Sequence, residues 1–172
     1  MLPILAIAAW SGTGKTTLLK QLIPLLKQQG IRPGLIKHTH HNMDIDTPGK
    51  DSYELRKAGA DQVLVASQQR WALMTETPDN ATTDFTFLVS RMDESTLDII
   101  LVEGFKDEPI PRILLWRDRD DAEWETLIDE RVIAIASDSP LNTPVPLLDL
   151  NDPPQIAAFI KVWLASVKGE AI

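Results

Sequence analysis

The stretch Ala9-Trp10-Ser11-Gly12-Thr13-Gly14-Lys15-Thr16 constrains this chain more than any other. It follows a continuous apolar run, residues 4–9, and opens a stretch, 15–29, in which Leu18, Leu19, Leu22, Leu25 and Leu26 mark one helical face. A strand that is apolar on both faces suits the middle of a parallel sheet covered on both sides. A Gly-rich loop between such a strand and a helix is the Walker A pattern, here with Ala9 where the strict form has its first Gly. A strand-end residue at negative φ carries a methyl group without strain, so Ala9 is compatible with the pattern. Gly12 and Gly14 permit backbone conformations closed to other residues, which turns successive N–H groups inward around a phosphate. The first turn of the helix adds unpaired N–H groups and the positive end of its dipole. In this reading Lys15 reaches the β- and γ-phosphates, the Thr16 hydroxyl ligates Mg²⁺ and Thr17 lies near the α-phosphate. Nucleotide binding is the expectation. The alternative is a Gly-rich strand-to-helix turn with an incidental Lys.

The rest of the chain reads as repeated strand and helix. Pro24 inside the first helix removes a backbone donor and is expected to kink it, and Gly30 is placed to end it. A strand is expected at 34–37, a short helix at 51–60, and two strands at 62–67 and 70–75, close enough to form a hairpin. A turn is expected at 79–83, a helix at 84–92, strands at 97–102, 113–116 and 131–136, and a final amphipathic helix at 155–167. This alternation predicts an α/β fold, a P-loop NTPase-type three-layer sandwich with a mostly parallel central sheet. At 172 residues, with no repeat and no linker, a single P-loop nucleotide-binding domain over 1–172 is expected.

Charge and composition narrow the function classes. Lys and Arg number 17 against 25 Asp and Glu, a net charge of −8. Such a chain lacks the cationic surface needed to coat nucleic acid or an anionic membrane. With no Cys it has no disulfide, thiolate nucleophile or Cys-based metal site. The apolar run 2–10 is far short of the roughly 20 residues of a membrane span. It also lacks the basic flank and cleavage site of a signal peptide, so a cytoplasmic location is expected.

Three further features carry chemistry. The apolar strand after Asp98 ends in Glu103-Gly104. Behind a phosphate loop, such a carboxylate holds Mg²⁺ or its water, and Gly104 lets its N–H approach a γ-phosphate; taken alone, it is a solvated strand end. The polar stretch 37–46 contains all three histidines, His38, His40 and His41, with Asp44 and Asp46. It is either a polar loop beside the nucleotide, in which Asp44 or Asp46 orients Mg²⁺-bound water, or a Zn²⁺ or Ni²⁺ site built from three His and two Asp. No His pair has helical i, i+4 spacing, which favours the polar loop. Ser137-Asp138 follows a late strand, where P-loop GTPases present a carboxylate to the guanine N1 and N2 donors; the alternative is turn chemistry ahead of Pro140. The Asn-Lys-x-Asp motif of G proteins does not occur.

Taken together, residues 9–17, Lys37-His38-Thr39-His40-His41, Asp46-Thr47-Pro48-Gly49-Lys50-Asp51-Ser52, Ala58-Gly59-Ala60 and Leu101-Val102-Glu103-Gly104-Phe105-Lys106 resemble the MobB family of molybdopterin-guanine dinucleotide biosynthesis adapter proteins. The resemblance implies a P-loop protein that binds GTP with Mg²⁺ and hydrolyses it weakly. It implies a homodimer that helps the guanylyltransferase MobA attach GMP to molybdopterin, in contact with that enzyme and with molybdenum-insertion proteins. Carried onto this chain, it puts the phosphates at Ser11, Gly12, Thr13, Gly14, Lys15, Thr16 and Thr17, the metal at Thr16 and Glu103, and a switch-like loop around 44–51. Lys15, Asp44 and Glu103 are then the residues expected to serve hydrolysis, and Asp138 is the expected contact to the base.

The catalytic equipment looks sparse. No Gln stands beside Glu103-Gly104 and no arginine finger is evident, so slow unassisted turnover is expected. Two other readings use the same loop. A small-molecule kinase needs a second pocket and a basic lid. Here Arg112, Arg117 and Arg119 interleave with Asp118, Asp120 and Asp121 in the manner of a solvated surface. A metallochaperone GTPase would carry its metal on the histidine loop. Five Trp, at 10, 71, 116, 124 and 163, together with an edge at 70–75, suit a homodimer and fit a monomer nearly as well.

Overall fold

The computed structural model describes residues 2–39, 43–77, 84–117 and 124–169. The turn expected at 79–83, His40, His41, Arg119 and its acidic neighbours lie outside them. In chain order the elements are β1 (Ile4–Ala8), α1 (Lys15–Gln28), β2 (Pro33–Lys37), α2 (Asp51–Lys57), β3 (Gln62–Ala66) and β4 (Trp71–Thr75). They continue as α3 (Phe85–Val89), β5 (Ile99–Glu103), β6 (Arg112–Trp116), a 3₁₀ turn (Trp124–Leu127), β7 (Val132–Ser137), β8 (Leu147–Asp149) and α4 (Pro153–Lys168). They group into two compact units, Met1–His38 with Phe85–Ile172, and Thr39–Asp84.

The first unit is built on a six-stranded sheet ordered β2-β5-β1-β6-β7-β8, with every neighbouring pair parallel. Strand pleating sends alternate residues to opposite faces. Leu5, Ile7, Ile99, Leu101, Ile113, Leu115, Ala134 and Ala136 pack against Leu18, Leu22 and Leu26 of α1 and Ile156, Ile160 and Leu164 of α4. Ala6, Ile100 and Val102 point the other way, toward Phe85 and Met92. Leu114, Trp116 and Ile135 do the same, toward Trp124 and Leu127. This is the expected three-layer α/β sandwich, with α1 and α4 on one face and short segments on the other. Each fully buried Leu or Ile contributes about 1.5–3 kcal/mol of transfer free energy.

Helix boundaries follow from local chemistry. α1 runs through Pro24 and ends where Gly30 adopts φ +80. There the Ile31 amide donates to the Leu26 carbonyl and the Gly30 amide to the Lys27 carbonyl, each at 3.0 Å. That is a Schellman ending, for which glycine is the favoured residue. α4 starts at Pro153, two residues earlier than expected, because prolines are tolerated in a first turn whose N–H groups have no helical acceptor. The Asp152 carboxylate caps it by accepting from the Gln155 amide at 3.1 Å. α3 covers only Phe85–Val89 of the expected 84–92. The three-residue β8 was not expected in the Pro- and Asn-rich segment 140–154, where its pairing to Ile135, Ala136 and Ser137 is set by the neighbouring strand.

The second unit holds α2 and the antiparallel hairpin of β3 and β4. The Ser67 amide donates to the Arg70 carbonyl at 2.8 Å and closes the hairpin. Buried Arg56 bonds Asp44 at 2.6 Å and Glu76 at 2.9 Å, tying the segment before α2 to the residue after β4. Leu64 and Leu73 pair across the hairpin, as do Ala66 and Trp71, and Leu64, Trp71 and Leu73 are exposed. Among the described residues no helix is long and apolar enough to cross a membrane.

Candidate functional site

A parallel sheet sends all its strands out at one edge, and ligands of open α/β sheets bind there. The segments leaving β1, β2, β5, β6 and β7 carry the phosphate loop, His38, Gly104, Arg117 and Asp138. Strand order reverses around β1. The chain steps from β1 to β2 on one side and later crosses from β5 to β6 on the other.

The loop after β1 has the backbone that its glycines permit. Gly12 sits at φ +82 and Gly14 at φ +104, both in the left-handed region. The buried Thr13 turns inward, its hydroxyl donating to the Trp10 carbonyl at 3.0 Å. α1 begins with no side-chain cap and no acidic residue in its first turn, so its leading N–H groups are left for an anion. Lys15 Nζ donates to the Ala9 and Trp10 carbonyls at 3.1 Å each, which holds the ammonium across the loop. Burial lowers the Lys15 pKa from its ordinary value, Glu103 opposes that shift, and Lys106 and Lys37 add to it. Ser11, Thr16 and Thr17 are exposed at the loop and the first turn.

On the neighbouring β5, Glu103 pairs in register with Lys37 of β2, and Lys37 Nζ lies 3.2 Å from Glu103 Oε2. Gly104 follows at φ +98, where a Cβ would come within 2.6 Å of the His38 Cβ. Only glycine fits that approach. Phe105 is also left-handed, at φ +52, and its ring packs on His38 at 4.7 Å and on Phe85 at 4.9 Å.

On the other side of β1, Arg117 is the first residue after β6. Its Nε donates to the Thr13 carbonyl at 3.1 Å and its other end to Asp138 Oδ2 at 2.7 Å. In sequence Arg117 reads as part of a solvated charged surface. Nothing local marks it, because its role depends on β6 lying between β1 and β7. Its neighbour Arg112 is buried and donates to the Glu108 carbonyl, so it is not part of a lid. Asp44 lies in the second unit, bonded to Arg56, and Asp46 accepts from Ser52 at 2.9 Å.

Comparison with known proteins places this geometry. The family model described as "MobB: Molybdopterin guanine dinucleotide synthesis protein B" matches residues 4–138. The molybdopterin-guanine dinucleotide biosynthesis adapter protein of Escherichia coli (strain K12) is 65% identical over 170 residues, 98% of this chain and 97% of that protein. The chain belongs to the MobB family. The adapter protein of Haemophilus influenzae (strain ATCC 51907 / DSM 11121 / KW20 / Rd) is 48% identical over 98% of this chain and 93% of its own. A crystal structure of molybdopterin-guanine biosynthesis protein B (mobB) matches with a TM-score of 0.76 at 26% identity, covering 94% of this chain and 98% of that one. MobB membership ties the chain to molybdopterin-guanine dinucleotide biosynthesis.

Thr16 and Glu103, the two residues expected at a metal, could offer Mg²⁺ a hydroxyl and a carboxylate oxygen. Both are hard ligands, and two protein donors suit an ion that takes its remaining ligands from phosphate and water. Among the described residues no group of three His, Cys, Asp or Glu converges on a metal position.

Proposed function

We propose that this chain binds GTP with Mg²⁺ at the Ala9–Thr17 loop and acts as an adapter in attaching GMP to molybdopterin, with slow intrinsic GTP hydrolysis. The observation that carries this reading is the phosphate loop: two left-handed glycines, an uncapped helix N-terminus and Lys15 held across them. The names of the relatives support the adapter role. Lys15 bears on the β- and γ-phosphates, Thr16 and Glu103 hold the metal, and Asp138 accepts from the guanine edge. One Asp accepting two donors discriminates against adenine, which offers no such pair.

The same proposal includes a cytoplasmic homodimer that contacts the guanylyltransferase MobA and molybdenum-insertion proteins. The exposed apolar face of Leu64, Trp71 and Leu73 supports dimerisation, since apolar patches of this kind mark association surfaces.

Calorimetry with GTP, GDP and ATP, with and without Mg²⁺, tests the nucleotide half on the full chain and on Lys15→Ala. GTP binding that exceeds ATP binding and is lost in the variant supports it. No nucleotide binding by the wild type overturns it. Capture of purified guanylyltransferase by the immobilised chain tests the adapter half, and failure to capture it at micromolar concentrations removes direct contact from the proposal.

A further inference from the structure

Arg117 belongs to neither motif that the sequence singles out, yet it touches both. It leaves β6, the strand between β1 and β7, and its guanidinium reaches the loop after each neighbour. One end donates to the carbonyl of Thr13, inside the phosphate loop, and the other to the carboxylate of Asp138. Its second terminal nitrogen lies 4.0 Å from where a Gly14 Cβ would stand. A planar, rigid fork fixes the direction as well as the length of its bonds, which a lysine ammonium does not.

We propose that Arg117 is a positioning residue for base selectivity. It sets the orientation of Asp138 and the spacing between the phosphate loop and that carboxylate. The proposal rests on the reading of Asp138 as the guanine acceptor. An ionised carboxylate has about four acceptor positions, and Arg117 takes one of them at Oδ2, leaving room for two guanine donors. A carboxylate of this kind offers acceptors and no donor. It therefore meets the adenine N1 lone pair unfavourably and the guanine N1 hydrogen favourably. Because the other end of the fork grips the phosphate loop, a nucleotide seated by its phosphates meets the carboxylate at a fixed distance.

Dissociation constants for Mg²⁺ complexes of GTP, ATP and inorganic tripolyphosphate, measured on wild type, Arg117→Ala, Arg117→Lys, Asp138→Asn and the Ala/Asn double variant, test this. Tripolyphosphate carries the phosphate chain without a base, so it reports on the loop alone and on correct folding. The expected result is a drop of about tenfold in the GTP-to-ATP preference for Arg117→Ala, the scale of one charged hydrogen bond. Tripolyphosphate binding weakens less than GTP binding does, and the double variant is no worse than Asp138→Asn. Arg117→Lys recovers less than half of the lost preference, because it restores the charge without the fork. Equal weakening of all three ligands in Arg117→Ala would make the residue a structural brace and overturn the proposal, as would additive losses in the double variant. A wild type that prefers GTP and keeps that preference in Arg117→Ala overturns only the role of Arg117. A wild type without GTP preference overturns the reading of Asp138 and this proposal with it.

Discussion

Lys37 and Glu103 face each other in register on adjacent parallel strands, and their side chains meet at 3.2 Å. The carboxylate expected to hold Mg²⁺ thus already has a cation beside it. A metal bound at Glu103 would compete with Lys37 for that oxygen and be repelled by its charge. Lys37→Ala is expected to lower the Mg²⁺ concentration needed for half-maximal nucleotide binding severalfold, and Glu103→Gln to raise it by about tenfold or more, the scale of losing one charged ligand. Mg²⁺ titrations at fixed nucleotide measure both. An unchanged midpoint in Glu103→Gln removes that residue from the metal site.

Burial holds the Lys15 pKa below its ordinary 10.5. The ammonium therefore loses its proton at a lower pH than a solvated lysine does. Tripolyphosphate affinity is expected to fall as pH rises toward 10.5, and Lys15→Arg, which stays charged, is expected to flatten that fall. Calorimetry across pH 7–10.5 reads the difference. Parallel pH profiles for the two proteins would detach Lys15 from the anion.

Asp98 is braced by Arg32, whose Nε, terminal nitrogen and backbone amide all donate to its carboxylate, and its pKa is lowered to about 2 from 3.8. A lowered folded-state pKa favours the folded chain above the unfolded value, and that stability is lost as pH falls through the folded value. Asp98→Asn is therefore expected to have a lower urea midpoint than wild type at pH 7. The two midpoints should converge as the pH approaches 2. Both partners keep contact with water, so the gap is modest.

Gly104→Ala puts a Cβ 2.6 Å from the His38 Cβ and forces an alanine to φ +98. Strain of about 1–2 kcal/mol from the left-handed backbone adds to about 1–3 kcal/mol from overpacking. The expected loss of about 2–5 kcal/mol is read from urea denaturation. A loss under about 1 kcal/mol would mean that the turn relaxes away from His38.

Trp71→Glu and Leu73→Glu put charges on the exposed face of the hairpin. If that face joins two copies of the chain, light scattering after gel filtration shows the mass falling to that of one chain. Tripolyphosphate affinity remains as in wild type. A dimer that survives both substitutions places the contact elsewhere.

The phosphate loop was legible because its chemistry lies within eight consecutive residues, and β1 and β5 because strands buried on both faces read as unbroken apolar runs. The α/β class followed from alternation alone. What escaped the sequence depends on strand order. Arg117 becomes part of the site only because β6 lies between β1 and β7, and Lys37 meets Glu103 only through the register of β2 on β5. The partner of Asp44 was equally hidden, since Arg56 lies a loop and most of a short helix away. β8 is too short to carry a periodic signal, and the two prolines that open α4 read as a break although a helix tolerates them in its first turn.

His38 and Phe85 bracket the segment Thr39–Asp84, and the ring of Phe105 touches both. One side chain thus pins the root where that excursion departs and the root where it returns. For a loop whose ends are already fastened, each doubling of length costs only about 0.6 kcal/mol of closure entropy. The strands of the sheet are in consequence only weakly taxed by the length of the excursion.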